Sequence, residues 1–113
     1  MTTSSVNSIY EKTTPQERFR RLAADWKEKS RYMSNTAQMA MLRPYQKIIG
    51  MGLSAIPLIL EELQREPDQW FWALEAITDE NPVAPEAAGR VRLMAQAWVE
   101  WGKQNGFIPH DPK

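Results

Sequence analysis

PYQKIIGMGLSAIPLILEELQREPDQWFWALEAIT, residues 44–78, is punctuated by helix starts and stops from end to end. Pro44 disfavours helix in Arg43 and can open a new one, because its fixed φ suits a first turn that needs no N–H. Tyr45, Ile48, Ile49 and Met51 follow, and Gly52 closes the segment as a C-terminal glycine. Ser54 is the expected cap of the next helix, and Pro57 is tolerable because it still lies in the first turn. Ile56, Ile59, Leu60 and Leu63 form a buried stripe until Glu66-Pro67 stops it. Asp68 is then expected to cap a return helix from Gln69 to about Thr78. Trp70, Ala73, Leu74 and Ile77 make its stripe, and Phe71 and Trp72 widen it. A helix apolar over so much of its surface is usually packed on two sides.

The flanks read the same way. Thr14-Pro15-Gln16-Glu17 supplies a hydroxyl cap, a proline at the first helical position and the glutamate of a capping box. Phe19, Leu22, Ala23 and Trp26 then share one face, which predicts a helix over about Pro15–Arg31. Ser34-Asn35-Thr36 breaks the pattern, and Ala37–Leu42 reads as a short turn or helix. Pro85-Glu86 is the expected start of a last long helix lined by Val91, Met94, Ala95, Trp98 and Trp101. Asn105-Gly106 ends it, with Phe107 and Ile108 folding back as a hydrophobic cap. No segment alternates as a strand would. The expected fold is an all-α compact bundle of about five helices. A flexible arm is expected over residues 1–13, one helical domain over 14–108 and a tail over 109–113.

Composition narrows the chemistry. A chain of 113 residues has the length of one domain with a modest core. It has no cysteine, which removes disulfides, thiolate zinc sites and thiol nucleophiles together. The stretch MTTSSVNSIYEKTT lacks the basic-then-apolar order of a secretory signal, and the apolar run Ala55–Leu60 is far short of the roughly 20 residues a membrane helix needs. These features predict a cytoplasmic location and no membrane partner. Formal net charge is zero, yet residues 1–50 carry nine Lys/Arg against four Asp/Glu and residues 51–113 carry five against ten. Such polarity serves internal pairing, ordinary solvated helix surfaces, or separate basic and acidic faces for partners.

Catalytic signals are missing. The sole histidine, His110, sits among prolines in the tail, where no fixed geometry to a nucleophile is expected. Asp79-Glu80-Asn81 is the one tight acidic cluster, without the alternation of a calcium loop, and reads as a capping loop. Glu61 and Glu62 are neighbours on a helix, about 100° apart, and cannot share one proton site. Gly50-Met51-Gly52 lacks the glycine and lysine of a phosphate loop. Catalytic, cofactor-binding and metal-binding residues are therefore none, and no small-molecule ligand is expected.

The pattern Ile48-Ile49-Gly50-Met51-Gly52, Ala55-Ile56-Pro57-Leu58-Ile59, Glu61-Glu62-Leu63, Pro67-Asp68 and Ala73-Leu74-Glu75-Ala76-Ile77 resembles one HEAT-like repeat over residues 44–78. That resemblance implies a pair of antiparallel helices with a turn glycine and an Asp-capped return helix. Gln69-Trp70-Phe71-Trp72 stands where such repeats usually carry a Val-Arg pair. No second copy follows at a repeat period, so a solenoid is not implied, and flanking helices must cover the unit's open face. Over most of its length the chain also resembles a group of small, uncharacterised bacterial proteins with a Trp-Phe-Trp-Ala-Leu … Ile-Thr-x-Glu-Asn-Pro-Val signature. Here that signature is Trp70–Leu74, Ile77, Thr78 and Glu80–Val83, and it implies no activity.

Two functional expectations remain. Five Trp in so short a chain mark a heavy core or an interface. Trp70 and Trp72 are about 200° apart on a helix, so either one packs inward while the other faces a partner, or both are buried between helices. The leading expectation is a non-enzymatic protein-interaction module, an accessory or regulatory subunit of adaptor or antitoxin type, with partner contacts at Trp70, Phe71, Trp72, Asp79, Glu80, Asn81, Pro82 and Val83. The alternative is a nucleic-acid-binding accessory factor using Arg18, Arg20, Arg21, Lys27, Lys29 and Arg31 of the first helix. Glu17, Asp25 and Glu28 interrupt that patch.

Overall fold

The computed structural model describes residues 13–110. Most of the expected arm and the end of the expected tail lie outside the described residues. Within them the chain is all-α: α1 (Pro15–Ser30), α2 (Thr36–Ala40), α3 (Arg43–Gly50), α4 (Ala55–Arg65), α5 (Phe71–Thr78) and α6 (Val91–Gln104). Two 3₁₀ turns, Gly52–Ser54 and Pro85–Ala87, join α3 to α4 and precede α6.

Helix α1 starts as its sequence dictates. The Glu17 amide donates to Thr14 Oγ1 at 3.1 Å and the Thr14 amide to Glu17 Oε1 at 3.2 Å, so two otherwise orphaned N–H groups are satisfied reciprocally. The Ser34–Thr36 break is itself a cap: Asn35 Oδ1 accepts from the Gln38 amide at 3.1 Å and starts α2.

Three expected starts are corrected. Ser54 does not cap α4. It already has helical backbone at the end of a 3₁₀ turn, and its hydroxyl donates back to the Met51 carbonyl at 3.0 Å. The turn is entered through Gly52 at φ 70°, the left-handed conformation that favours glycine. Asp68 does not cap α5 either. Its carboxylate accepts from the adjacent Gln69 amide at 2.7 Å, and the helix begins later, at Phe71. Pro85-Glu86 opens only a 3₁₀ turn; extended backbone at Ala88 and a left-handed Gly89 interrupt it before α6 begins at Val91.

What replaces the missing cap of α5 is Tyr45, from α3. Its buried hydroxyl donates to the Gln69 carbonyl at 3.0 Å and accepts from the Ala73 amide at 2.9 Å. Burial pushes the phenol well above its ordinary value, against a smaller opposing effect of the Ala73 hydrogen bond, so the group stays a neutral donor and acceptor. The Tyr45 ring stacks on Trp70 at 5.7 Å, and Trp26 of α1 lies 4.5 Å from Trp70 and 5.1 Å from Tyr45, with Phe19 at 5.6 Å from Trp70. Trp26 Nε1 donates to the Met39 carbonyl at 2.9 Å, which ties α2 to the same knot.

Helix α1 packs against α3 and α4, α3 supports α5, and α4 supports α6. Ala95, Trp98 and Gly102 form the buried side of α6. A Cβ at Gly102 would overlap Leu60 Cδ1, so glycine there permits the close approach of α6 to α4. Beyond α6, Gly106 is left-handed, Ile108 is buried beside Gly102, and Phe107 stacks on Trp101 at 5.3 Å, the fold-back the sequence predicts. The Nε1 groups of Trp70 and Trp98 are buried without a partner among the described residues. An unmatched N–H costs about 1–3 kcal/mol. Truncating a buried Trp costs roughly 3–5 kcal/mol, so ring packing wins at both positions.

Tyr45→Phe is expected to lower stability by about 1–3 kcal/mol, because it unmatches a carbonyl and weakens an amide contact while keeping the ring. Gly102→Ala is expected to cost about 1–3 kcal/mol through overpacking against Leu60. Urea unfolding followed by circular dichroism checks both, and a Tyr45→Phe midpoint equal to the parent's removes the capping role.

Candidate functional site

The expected partner residues divide by burial. Trp70 and Phe71 are buried, Trp70 in the aromatic knot, and are corrected from contact residues to core residues. Trp72 is 49% exposed. The cause is the roughly 100° turn per residue: once Tyr45 and Trp26 fix Trp70 inward, Trp72 faces outward. Glu75, Ala76 and Asp79 are also exposed and fall at three, four and seven residues from Trp72, on the same side of the helix.

The following loop is built from named bonds. Asp79 ends α5 in left-handed backbone at φ 59°, and its amide donates to the Glu75 carbonyl at 2.8 Å. Asp tolerates that conformation better than most side chains. Thr78 Oγ1 donates to the Leu74 carbonyl at 2.7 Å and accepts from the Glu80 amide at 3.1 Å, and Asn81 Oδ1 accepts from the Val83 amide at 3.1 Å. Glu80 and Asn81 are exposed; Pro82 and Val83 are half-buried, and Val83 packs against the core. The structure therefore brings Trp72, Asp79, Glu80 and Asn81 to one stretch of surface and assigns the other four residues wholly or partly to the interior.

The basic residues of α1 also divide. Lys29 pairs with Asp25 at 3.1 Å and Arg31 with Glu28 at 2.8 Å. Lys27 bridges to Glu62 at 2.5 Å and Glu66 at 2.7 Å, across the α1–α4 contact. Arg18, Arg20 and Arg21 are exposed and form no ion pair among the described residues. Half of the expected nucleic-acid patch thus pairs with carboxylates of this chain, Lys27 across the α1–α4 contact and Lys29 and Arg31 on the exposed surface of α1.

Two clefts lie between α1 and the helices packed on it. One, of about 420 Å³, lies against α4 and includes Arg20, Lys27, Leu58, Glu61, Glu62 and Arg65. Glu62 is its buried carboxylate, with a side chain only 7% exposed, held by Lys27 and by Arg65 one turn along α4. Burial alone would push the Glu62 carboxyl up, but the hydrogen bonds from Lys27 and Arg65 outweigh it and hold the group below 4.5. Burial would likewise lower Lys27, and Glu62 and Glu66 reverse that to hold it above 10.5. A carboxylate locked in its ionised form by two cations is a poor proton donor near neutrality, so the cluster reads as a clamp between α1 and α4. The second cleft, of about 780 Å³, lies between the first turns of α1 and the end of α3.

No group of three or more His, Asp or Glu among the described residues is arranged to hold a metal ion, and no helix among them is long and apolar enough to cross a membrane. Comparison with protein-family models, curated proteins and solved structures gave no match. Sequence reasoning missed the Lys27–Glu62 pair, whose partners are 35 residues apart; a lone Glu on the buried stripe side of α4 was its one available signal.

The pH dependence follows from these shifts. Glu62 titrates lower folded than unfolded, so its contribution is present above pH 4.5 and is lost as pH falls through the folded value. Lys27 titrates higher folded, so its contribution is lost as pH rises beyond 10.5. Unfolding midpoints measured from pH 7 down to about 3 are expected to fall less steeply for Glu62→Gln than for the parent. Equal slopes would mean that Glu62 carries none of the acid sensitivity.

Proposed function

We propose that the protein is a non-enzymatic interaction module, an accessory or regulatory subunit of adaptor type, that docks a protein partner on the α5 face carrying Trp72 and on the adjoining Asp79–Asn81 loop. The exposure of Trp72 carries this reading. Two preceding aromatics in the same helix start are buried, while Trp72 keeps about half its surface in solvent. Trp supplies large contact area for few rotatable bonds, and exposed Trp is favoured at the centre of binding surfaces. Glu75, Asp79 and Glu80 edge it with negative charge, which suits a basic partner segment offering an apolar slot for the indole.

Residues 44–78 as one HEAT-like unit belong to the same proposal. Helices α4 and α5 would be its pair, joined through Pro67 and Asp68, with the first and last long helices, α1 and α6, covering the faces one unit leaves open. Nucleic-acid binding along α1 takes second place, since Lys27, Lys29 and Arg31 already pair with carboxylates of this chain.

A photo-crosslinking side chain introduced at position 72 in cells is expected to capture a defined protein. The same probe at exposed Leu53 is expected to capture none, and Glu75→Lys with Asp79→Lys should abolish the adduct at 72. Equal labelling at both positions, or an adduct indifferent to the charge reversal, overturns the reading. Trp72→Ala should meanwhile leave the unfolding midpoint within a few degrees of the parent's, because a half-exposed ring contributes far less than a core one.

A further inference from the structure

The larger cleft beside α1 concentrates positive charge that the molecule does not use. It is lined by Arg18 and Arg21 of α1 and Lys47 of α3, with Leu22 and Met51 on its walls. None of the three cations has an ion-pair partner among the described residues. Asp25, the one acidic residue of the lining, is already paired with Lys29 at 3.1 Å. Helices α1 and α3 are the most extensively packed pair in the bundle, so the cations project from a fixed frame. The volume, about 780 Å³, lies within the roughly 300–1,000 Å³ usual for small-ligand sites.

Charge and shape together select the ligand. Three cations lining one cleft from two helices match an anion with several adjacent negative oxygens, and guanidinium forks suit phosphate geometry. The first turn of α1 adds the positive end of a sixteen-residue helix on the same side, offset in part by the Glu17 carboxylate of its capping box. The opposite wall includes the end of α3 at Gly50 and Met51, where backbone carbonyls repel anions, so negative charge is best held toward α1. A nucleic-acid strand fits less well. Beyond the cleft, Lys27, Lys29 and Arg31 are engaged and Glu17 and Glu28 are exposed, which leaves no continuous basic track.

We propose that this cleft binds a compact oligophosphate anion, free or as the phosphate tail of a nucleotide, between Arg18, Arg21 and Lys47. This departs from the sequence reading, which expects no small-molecule ligand, and it is independent of the Trp72 surface.

Calorimetric titration of the full chain at low salt, without divalent cations, tests it with pyrophosphate, ATP and a short oligothymidylate in separate arms. One-to-one binding of pyrophosphate or ATP is expected. Arg18→Ala, Arg21→Ala and Lys47→Ala should each weaken it about tenfold or more, the loss of a charge-assisted hydrogen bond. Arg90→Ala should leave it unchanged, and thermal melts should show all four variants folded. ATP binding tighter than pyrophosphate assigns the Leu22–Met51 walls to the nucleoside; equal affinities assign the site to the phosphates alone. Absence of binding by both, binding indifferent to the three substitutions, or oligothymidylate binding tighter than either overturns the proposal.

Discussion

The Tyr45 hydroxyl lies between the Gln69 carbonyl and the Ala73 amide, and the arrangement of the bundle around α5 depends on it. A helix start inside a protein leaves N–H groups that water cannot reach, and α5 has no side chain of its own to accept from them. A phenol from another helix supplies the acceptor. Its ring, stacked on Trp70, sets the rotation of α5 about its own axis, while Trp26 and Phe19 hold the same indole from α1. One side chain thus fixes where α5 begins and which way it faces.

The exposed surface follows from that rotation. With Trp70 held inward, helical geometry leaves Trp72, Glu75, Ala76 and Asp79 outside. A large ring such as that of Trp72 is often covered by a neighbouring helix, as α6 covers α4. Here the chain turns away instead, through a left-handed Asp79 and the side-chain turns of Thr78 and Asn81. The loop bonds hold Glu80 and Asn81 beside the helix end in a defined conformation, which lowers the entropy lost when a partner settles on them.

Much of the fold was legible because its signals are local. The Thr14–Glu17 capping box, the left-handed Gly52 and Gly106, and the 3.6-residue stripes of α1, α4 and α6 each need only a few neighbouring residues to be recognised. The misreadings arise where a backbone turn or a contact from another helix outweighs residue type. Ser54 and Asp68 are good caps by type, yet the 3₁₀ turn and the tyrosine from α3 set the helix starts elsewhere, and Gly89 delays α6 past Pro85. The site was half legible for the same reason. Spacing alone separates Trp70 from Trp72 by 200°, but only Tyr45, Trp26 and Phe19 decide which of the two turns inward.

The charge polarity of the chain is likewise resolved by contacts that sequence spacing does not reveal. Lys27 reaches from the basic half to Glu62 and Glu66 of the acidic half and clamps α1 to α4. Among the charges this clamp leaves over are cations at the start of α1 and carboxylates around the end of α5. Both are referred to α3. Tyr45, on its buried side, positions α5, and Lys47, two residues on and therefore facing outward, completes the cationic cleft with Arg18 and Arg21. A short helix of eight residues thereby fixes the position of the acidic Trp72 face relative to the basic cleft, and its packing against α1 makes that relation rigid.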